Sequence, residues 1–440
     1  MSEAPKVFRK SFTRQEPISE TAITRATDVL RTGKLHRYNV DSGETSEVSM
    51  LEAEFAAYMG MRYCLACASC GSAMYLALKS AGVQPGDAIL CNTFTLAPVP
   101  GMIENAGGRI ILVEISPGYT IDLHDLEEKA KRYRPNWLLL SHMRGHIADM
   151  DKVVSICREH GVSLIEDCAH TMGALWDGQK SGSFGLVSCF STQTYKHMNS
   201  GEGGLLVTND EQLIARAILY SGSYMLYDKH SSRPDLEVFA PYTETIPNYS
   251  CRMDNLRASI LRQQLIDLDA QCCRWNERYR VIESRLKEIP CIDCPIRDPR
   301  EAYVGSSIQF NLVGLDEVRI RKFLFETEKR GVHIKWFGRA EPNGFTSSYR
   351  NWRYLNEKET LPQTDRILST LCDMRIPLTF SIKDCEHIST IIVTCLKTLS
   401  GEGLFDERHA LDSSSVRTES TEIVPSTAQV DAATSPESDS

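Results

Sequence analysis

Three short segments bring together residue types that could do chemistry. The first, Ser188-Cys-Phe-Ser191-Thr-Gln-Thr-Tyr-Lys196, runs out of an apolar, strand-like segment and ends in the glycine-rich turn Gly201-Glu-Gly-Gly204. A lysine taken out of water gives up its proton more readily and can condense with a carbonyl, and Ser191 upstream is placed to donate to a phosphate. A surface lysine before a flexible loop is the plainer alternative. The second segment, Leu164-Ile-Glu166-Asp167-Cys-Ala-His170, is an apolar strand ending in two acids. In open α/β sheets ligands bind beyond the carboxyl ends of the strands, so an acid there points into a cleft. A carboxylate opposite a pyridine nitrogen keeps that nitrogen protonated and makes the ring an electron sink. As a helix N-cap the same aspartate would be unremarkable. In the third, Ala68-Ser-Cys-Gly71-Ser72, a strand turns through glycine into a helix whose free N–H groups and dipole suit a phosphate.

The elements that must position these residues follow from periodicity. Val48 to Met59 and Ser72 to Ala81 read as helices, closed by Gly60 and Gly82. Tyr63 to Ala68, Ala88 to Cys91, Arg109 to Glu114, Trp137 to Ser141 and Ser163 to Ile165 are short β-branched or leucine-rich runs separated by helix-sized segments. That alternation predicts an α/β domain with a mostly parallel sheet covered by helices. Pro247 breaks the rhythm, and Asp254 to Ile289 reads as a long helix leading to a smaller α+β unit. The expected organisation is an N-terminal extension over 1–24, a large α/β domain over 25–250, a small C-terminal domain with its connecting helix over 251–402, and a disordered tail over 403–440. The tail is rich in Ser, Thr, Glu and Asp and too poor in apolar residues to order itself.

In this order the motifs resemble the DegT/DnrJ/EryC1/StrS family of sugar aminotransferases, which are pyridoxal-phosphate (PLP) enzymes of fold type I. The resemblance covers residues 25 to 398. It rests on Leu51 to Gly60, Gly71-Ser72-Ala, Cys91-Asn-Thr-Phe94, Gly145-His-Ile-Ala-Asp-Met150, Glu166 to His170, Ser191 to Gly204, Arg252-Met253 and Arg375-Ile-Pro-Leu378. It implies that Lys196 holds PLP as a Schiff base and moves the proton, that Asp167 partners the pyridine nitrogen, and that Ser191, Gly71 and Ser72 bind the phosphate. It further implies that Phe94 stacks on the ring and that His170, where the family often has glutamine, lies near the ring hydroxyl. The family's asparagine two residues before the arginine is here Ser250, with Asn248 two residues earlier; either is a candidate to reach a partner subunit's phosphate, and a homodimer with shared sites is implied. The implied reaction passes an amino group from glutamate or glutamine, through pyridoxamine phosphate, to a keto-sugar, nucleotide-linked keto-sugar or cyclitol in specialised biosynthesis. Dehydration, elimination or carbon–carbon bond formation on the same fold, and a non-catalytic PLP-binding role, are the alternatives. Family dehydratases carry histidine for the lysine; Lys196 is retained here, although His197 adjoins it. Trp336, Phe337 and Arg339 replace the family's usual Pro/His-containing substrate segment, and Tyr249 and His36-Arg37-Tyr38 are further candidate substrate contacts, with solvated-surface roles as the alternative.

Other signals are weaker. Cys64-x2-Cys67-x2-Cys70 has iron–sulfur spacing but lacks a fourth cysteine followed by proline. Cys291-x2-Cys294 is a lone pair, and His142 and His146 flank a glycine where a loop destroys helical spacing, so no metal site is expected. The fifteen cysteines are scattered and odd in number, which suits reduced thiols in a cytoplasmic protein. A net charge of -9 argues against nucleic acid as a partner, and no apolar run is long enough to span a bilayer. Small molecules remain as partners: an amino donor and a keto acceptor.

Overall fold

The computed structural model describes residues 6–355 and 359–399. The expected tail over 403–440 lies outside the described residues. Seven strands form the main sheet: Tyr63–Cys67 (β1), Ala88–Asn92 (β2), Arg109–Val113 (β3), Trp137–Ser141 (β4), Ser163–Asp167 (β5), Val187–Ser191 (β6) and Gly204–Thr208 (β7). Their spatial order is β1-β7-β6-β5-β4-β2-β3, with β6, β5, β4, β2 and β3 parallel and β7 antiparallel to both its neighbours. This is the mostly parallel, helix-covered sheet that the sequence predicts, with one reversed strand near its edge. Strands such as Trp137-Leu-Leu-Leu-Ser are apolar on consecutive residues because both faces of the sheet are covered. Side chains alternate between two cores: Phe190 and Leu205 face Leu51 and Phe55 on one side, whereas Cys189 and Leu206 face Leu76 and Ile218 on the other.

Helix boundaries follow local capping. Ser46 accepts from the Ser49 N–H to open Glu47–Met59 (α2), which follows Glu20–Thr32 (α1), and Gly60 closes α2 in the left-handed conformation. Ser69 caps Cys70–Ala81 (α3) and Asp254 caps the long helix Asn255–Leu286 (α4). The latter begins and ends within three residues of the span read from sequence. A second sheet of Ile292–Asp293 (β8), Ser307–Leu312 (β9), Lys335–Trp336 (β10) and Leu371–Arg375 (β11), in the order β8-β9-β11-β10, is wholly antiparallel. It shares a core with Glu317–Lys329 (α5) and Ile382–Leu399 (α6). The N-terminal residues join this core: Phe8 and Phe12 pack edge-on against Phe380, at 5.1 and 4.9 Å between centroids. No described helix is long and apolar enough to cross a membrane.

Candidate functional site

The parallel register of β4, β5 and β6 brings Ser141, Asp167 and Ser191 to neighbouring strand ends. They meet the first turn of α3 and the 192–203 loop around a cavity of about 410 Å³, lined among others by Gly71, Asp167, His170, Ser191 and Lys196. Ser69 Oγ accepts the Ser72 N–H at 3.0 Å, which leaves the first-turn N–H groups of Cys70 and Gly71 without intrahelical partners. The cap thus prepares an anion-binding turn.

The Lys196 loop is held from both ends. Lys196 N–H donates to the Gln193 carbonyl at 2.8 Å, and Ser200 N–H to that of Thr192 at 2.9 Å. Gln264 on α4 accepts from Asn199 N–H and donates to its carbonyl, both at 2.7 Å. Gly204 explains the tight end of the glycine run: a Cβ there would stand 2.4 Å from the Ser69 carbonyl oxygen, so only glycine lets β7 lie against the α3 turn.

Lys196 Nζ lies 2.7 Å from His170 Nε2. Burial, reinforced by the Arg144 guanidinium, pushes the lysine down to about 8 from 10.5. Burial and the neighbouring Lys196 and Arg144 charges likewise hold His170 well below its usual value. Lys196 is thus half-buried in the cavity wall and more easily made neutral than a fully solvated lysine. Asp167 is fixed by a relay in which Thr95 Oγ1 donates to Ser141 Oγ at 2.8 Å and Ser141 Oγ donates to Asp167 Oδ2 at 2.7 Å. The other oxygen, Oδ1, accepts from Ala169 N–H at 3.1 Å. The helix-cap alternative for Asp167 falls away, because turns and no helix follow it. Glu166 turns to the other side of the strand, where its carboxylate accepts from the N–H groups of Gly182, Phe184 and Gly185 and meets His142 Nε2 at 3.2 Å. It is a brace for the loop before β6.

Not every expected residue comes to the cavity. Phe94 is buried with Tyr119, Met143 and Phe337, its centroid 5.1 Å from that of Phe337; Met143 lines the cavity, as do Thr95 and Leu96 next to Phe94 in sequence. Ser72 sits one step behind Gly71, its hydroxyl 2.9 Å from that of Ser69. Asn248 and Ser250 lie at the surface, with Ser250 N–H donating to Asn248 Oδ1 at 2.7 Å, on a segment that runs beside β1 through the Cys67–Arg252 bridge. Arg37 and Tyr38 are engaged within the chain: Arg37 is buried against Glu52, with two contacts of 2.8 Å, and Tyr38 bonds His230 at 2.7 Å. Trp336 is buried and donates to the Ser369 carbonyl. His197 is turned into the scaffold, bonding the Met172 carbonyl and Ser306 and packing on Trp275. Cys64 and Cys67 fall in different cores, and all fifteen cysteines are free, most of them buried. Ser141, Thr95, Arg144, Tyr195 and Arg375 also belong to the cavity wall. Ser141 was findable as the polar last residue of an apolar strand beside β5; Arg144 and Arg375 lie in or beside recognised segments but carry no local pattern that marks them.

The sequence profile of the DegT/DnrJ/EryC1/StrS aminotransferase family matches residues 17–393. A pleiotropic regulatory protein of Geobacillus stearothermophilus is 31% identical over 239 residues, 53% of this chain and 58% of that protein. A 3-amino-5-hydroxybenzoate synthase of Amycolatopsis mediterranei is 31% identical over 277 residues, 62% of this chain and 69% of the synthase. The chain thus aligns with little more than half the length of the first of these relatives. Among solved structures, 3-amino-5-hydroxybenzoic acid synthase superposes with a TM-score of 0.75 at 24% identity, covering 90% of this chain and all of the other. That likeness shows a shared fold.

Proposed function

The chain belongs to the DegT/DnrJ/EryC1/StrS aminotransferase family, and from that membership we propose that it is a PLP-dependent aminotransferase. Its donor is glutamate or glutamine, and its acceptor is a keto-sugar, a nucleotide-linked keto-sugar or a cyclitol. The observation that carries this reading is the convergence of a readily neutralised Lys196, a braced Asp167, Ser191 and the open first turn of α3 on one cavity. The donor set fits the cofactor. Ser191 and the Cys70 and Gly71 N–H groups can hold a phosphate, and Asp167 can accept from a protonated ring nitrogen.

PLP, when bound through Lys196, supplies the electron sink that stabilises a carbanion at the substrate Cα. The chain's own residues do the rest. Lys196 Nζ, readily made neutral in this wall, would hold and move the proton at the substrate Cα. His170 Nε2, 2.7 Å from that amine, orients it and shares its proton. Thr95 and Ser141 keep the Asp167 carboxylate aimed by donating along one line. A homodimer is part of the proposal. Asn248 and Ser250 would serve the partner's phosphate, and the exposed Tyr224, Met225 and Tyr249 around them support an interface there.

Incubation of the cofactor-loaded protein with L-glutamate tests the reading. The expected result is loss of the visible cofactor band with one equivalent of 2-oxoglutarate; an unchanged band with glutamate and with glutamine would refute amino transfer.

A further inference from the structure

The turn that follows β4 sends two side chains across to the second sheet. Arg144 sits in the short turn Met143–Gly145 in a left-handed conformation, φ 58°, which is uncommon for a residue with a side chain. Its guanidinium is buried, with Nε 3.1 Å from Asp373 Oδ1 on β11, and lies 4.2 Å from the Phe345 ring centroid. The Nε–H has no hydrogen-bond partner among the described residues, so the contact with Asp373 is one of charge on charge. Two residues on, His146 Nε2 lies 2.7 Å from Gln309 Oε1 on β9. Gln309 Nε2 donates in turn to Ser307 Oγ at 2.8 Å and to Asp373 Oδ1 at 2.7 Å. One turn thus holds both ends of a buried chain, Arg144–Asp373–Gln309–His146. Lys335, opposite Asp373 on β10, reaches instead toward Asn343 and the Phe345 ring.

A buried ion pair adds little net stability, because desolvation of both groups offsets their attraction. What it leaves is a field, strong where water is scarce. Arg144 lines both cavities that Lys196 lines: the cofactor-side cavity and a second, of about 260 Å³, that opens toward Gln263 and Trp275. Asp373 lines neither, and so stands behind Arg144. Of the charges that disfavour a protonated Lys196, Arg144 acts most strongly, ahead of Arg375, while Asp167 and Cys70 act the other way. His170 and His197 meet the charge of the same lysine, and both are held neutral chiefly by burial. A base that must both accept and release a proton works best when neither state is far favoured. With Arg144 and Arg375 both uncompensated, the neutral amine would be too strongly favoured.

We propose that Asp373 is a positioning residue for the reaction at Lys196: fixed by Gln309, it holds Arg144 in the cavity wall and offsets its charge, so that the amine can both take up and give up a proton. This role rests on the reading of Lys196 as the reacting amine.

The test is made on cofactor-free protein, by brief exposure to PLP across pH 6 to 11, borohydride trapping and quantification of the Lys196 peptide. Asp373→Asn keeps the Oδ1 that Gln309 donates to and removes only the charge, since Oδ2 has no partner among the described residues. It should lower the midpoint of Lys196 labelling by about half a unit to one unit. Arg144→Gln should raise the midpoint by more, because Arg144 is the nearer charge, and Asp373→Glu should stay near wild type. A merely structural role would let water into the wall and raise the midpoint in both variants. Should Asp373→Asn alone not fold, the same downward step is read between Arg144→Gln and the double variant, which carries neither charge of the pair. A midpoint unmoved or raised by Asp373→Asn in both backgrounds overturns the role, as does one unmoved or lowered by Arg144→Gln. If the shifts appear while glutamate leaves the band of the cofactor-loaded wild type untouched, the amino-transfer reading fails and the role of Asp373 at the amine stands.

Discussion

The depressed basicity of Lys196 makes a quantitative prediction for the cofactor-free protein. With its titration moved from 10.5 to about 8, roughly a quarter of the amine is neutral at pH 7.5, against about one part in a thousand for an ordinary lysine. Reaction with an aldehyde needs the neutral form, so Lys196 should outpace the surface lysines by about two hundred-fold at that pH. The assay is brief exposure to PLP, trapping with borohydride and quantification of the labelled peptide across pH 6 to 11. The rate should rise about tenfold per pH unit below 7 and level off with a midpoint near 8. Asp167 raises the lysine's basicity while burial and Arg144 lower it, so Asp167→Asn should move the midpoint further down. A midpoint near 10.5, or an upward shift in Asp167→Asn, would refute the reasoning. The same burial has a stability sign: between about pH 8 and 10.5 the unfolded chain holds the extra proton, so this group favours folding more as pH rises through that window.

Acid should act on the buried histidines. His197 is lowered to about 4 and His146, His170 and His230 well below their usual value, chiefly by burial. The unfolded state gains protons first as pH falls below about 6.5, and thermal denaturation should show a steep loss of Tm between pH 6.5 and 4 that His197→Asn reduces. Glu52→Gln leaves the Arg37 charge buried without its carboxylate and should cost about 3–5 kcal/mol by denaturant unfolding; a cost under 1 kcal/mol would show that water reaches the pair. Gly204→Ala sets a Cβ against the Ser69 carbonyl and should cost about 1–3 kcal/mol by overpacking, with weaker retention of the phosphate group seen in equilibrium dialysis.

The main sheet was legible because its strands are apolar on consecutive residues and its helices carry ordinary caps, so Trp137–Ser141, Ser163–Asp167 and α4 emerge from periodicity within about three residues. The reversal of β7 was not legible: Gly204-Leu-Leu-Val-Thr reads alike in either direction, and only its hydrogen bonding to β1 and β6 reverses it. Lys196 and Asp167 were legible because each follows an apolar strand closely in sequence. Their supports were not. Ser141 reaches Asp167 across 26 residues, and Arg144 meets Asp373 and Arg375 through contacts more than 200 residues apart in sequence, which no local pattern records. Phe94 shows the converse limit. Its residue type fits a ring-stacking role, and in the structure its ring packs edge-on against Phe337 and Tyr119, contacts that no local pattern records.

The most direct test of the central claim is borohydride reduction of the cofactor-loaded protein followed by peptide mass mapping. The account predicts one phosphopyridoxyl group per chain, on Lys196, and no visible cofactor band in Lys196→Ala. A band that persists in that variant, or a label carried by a different lysine, would contradict it.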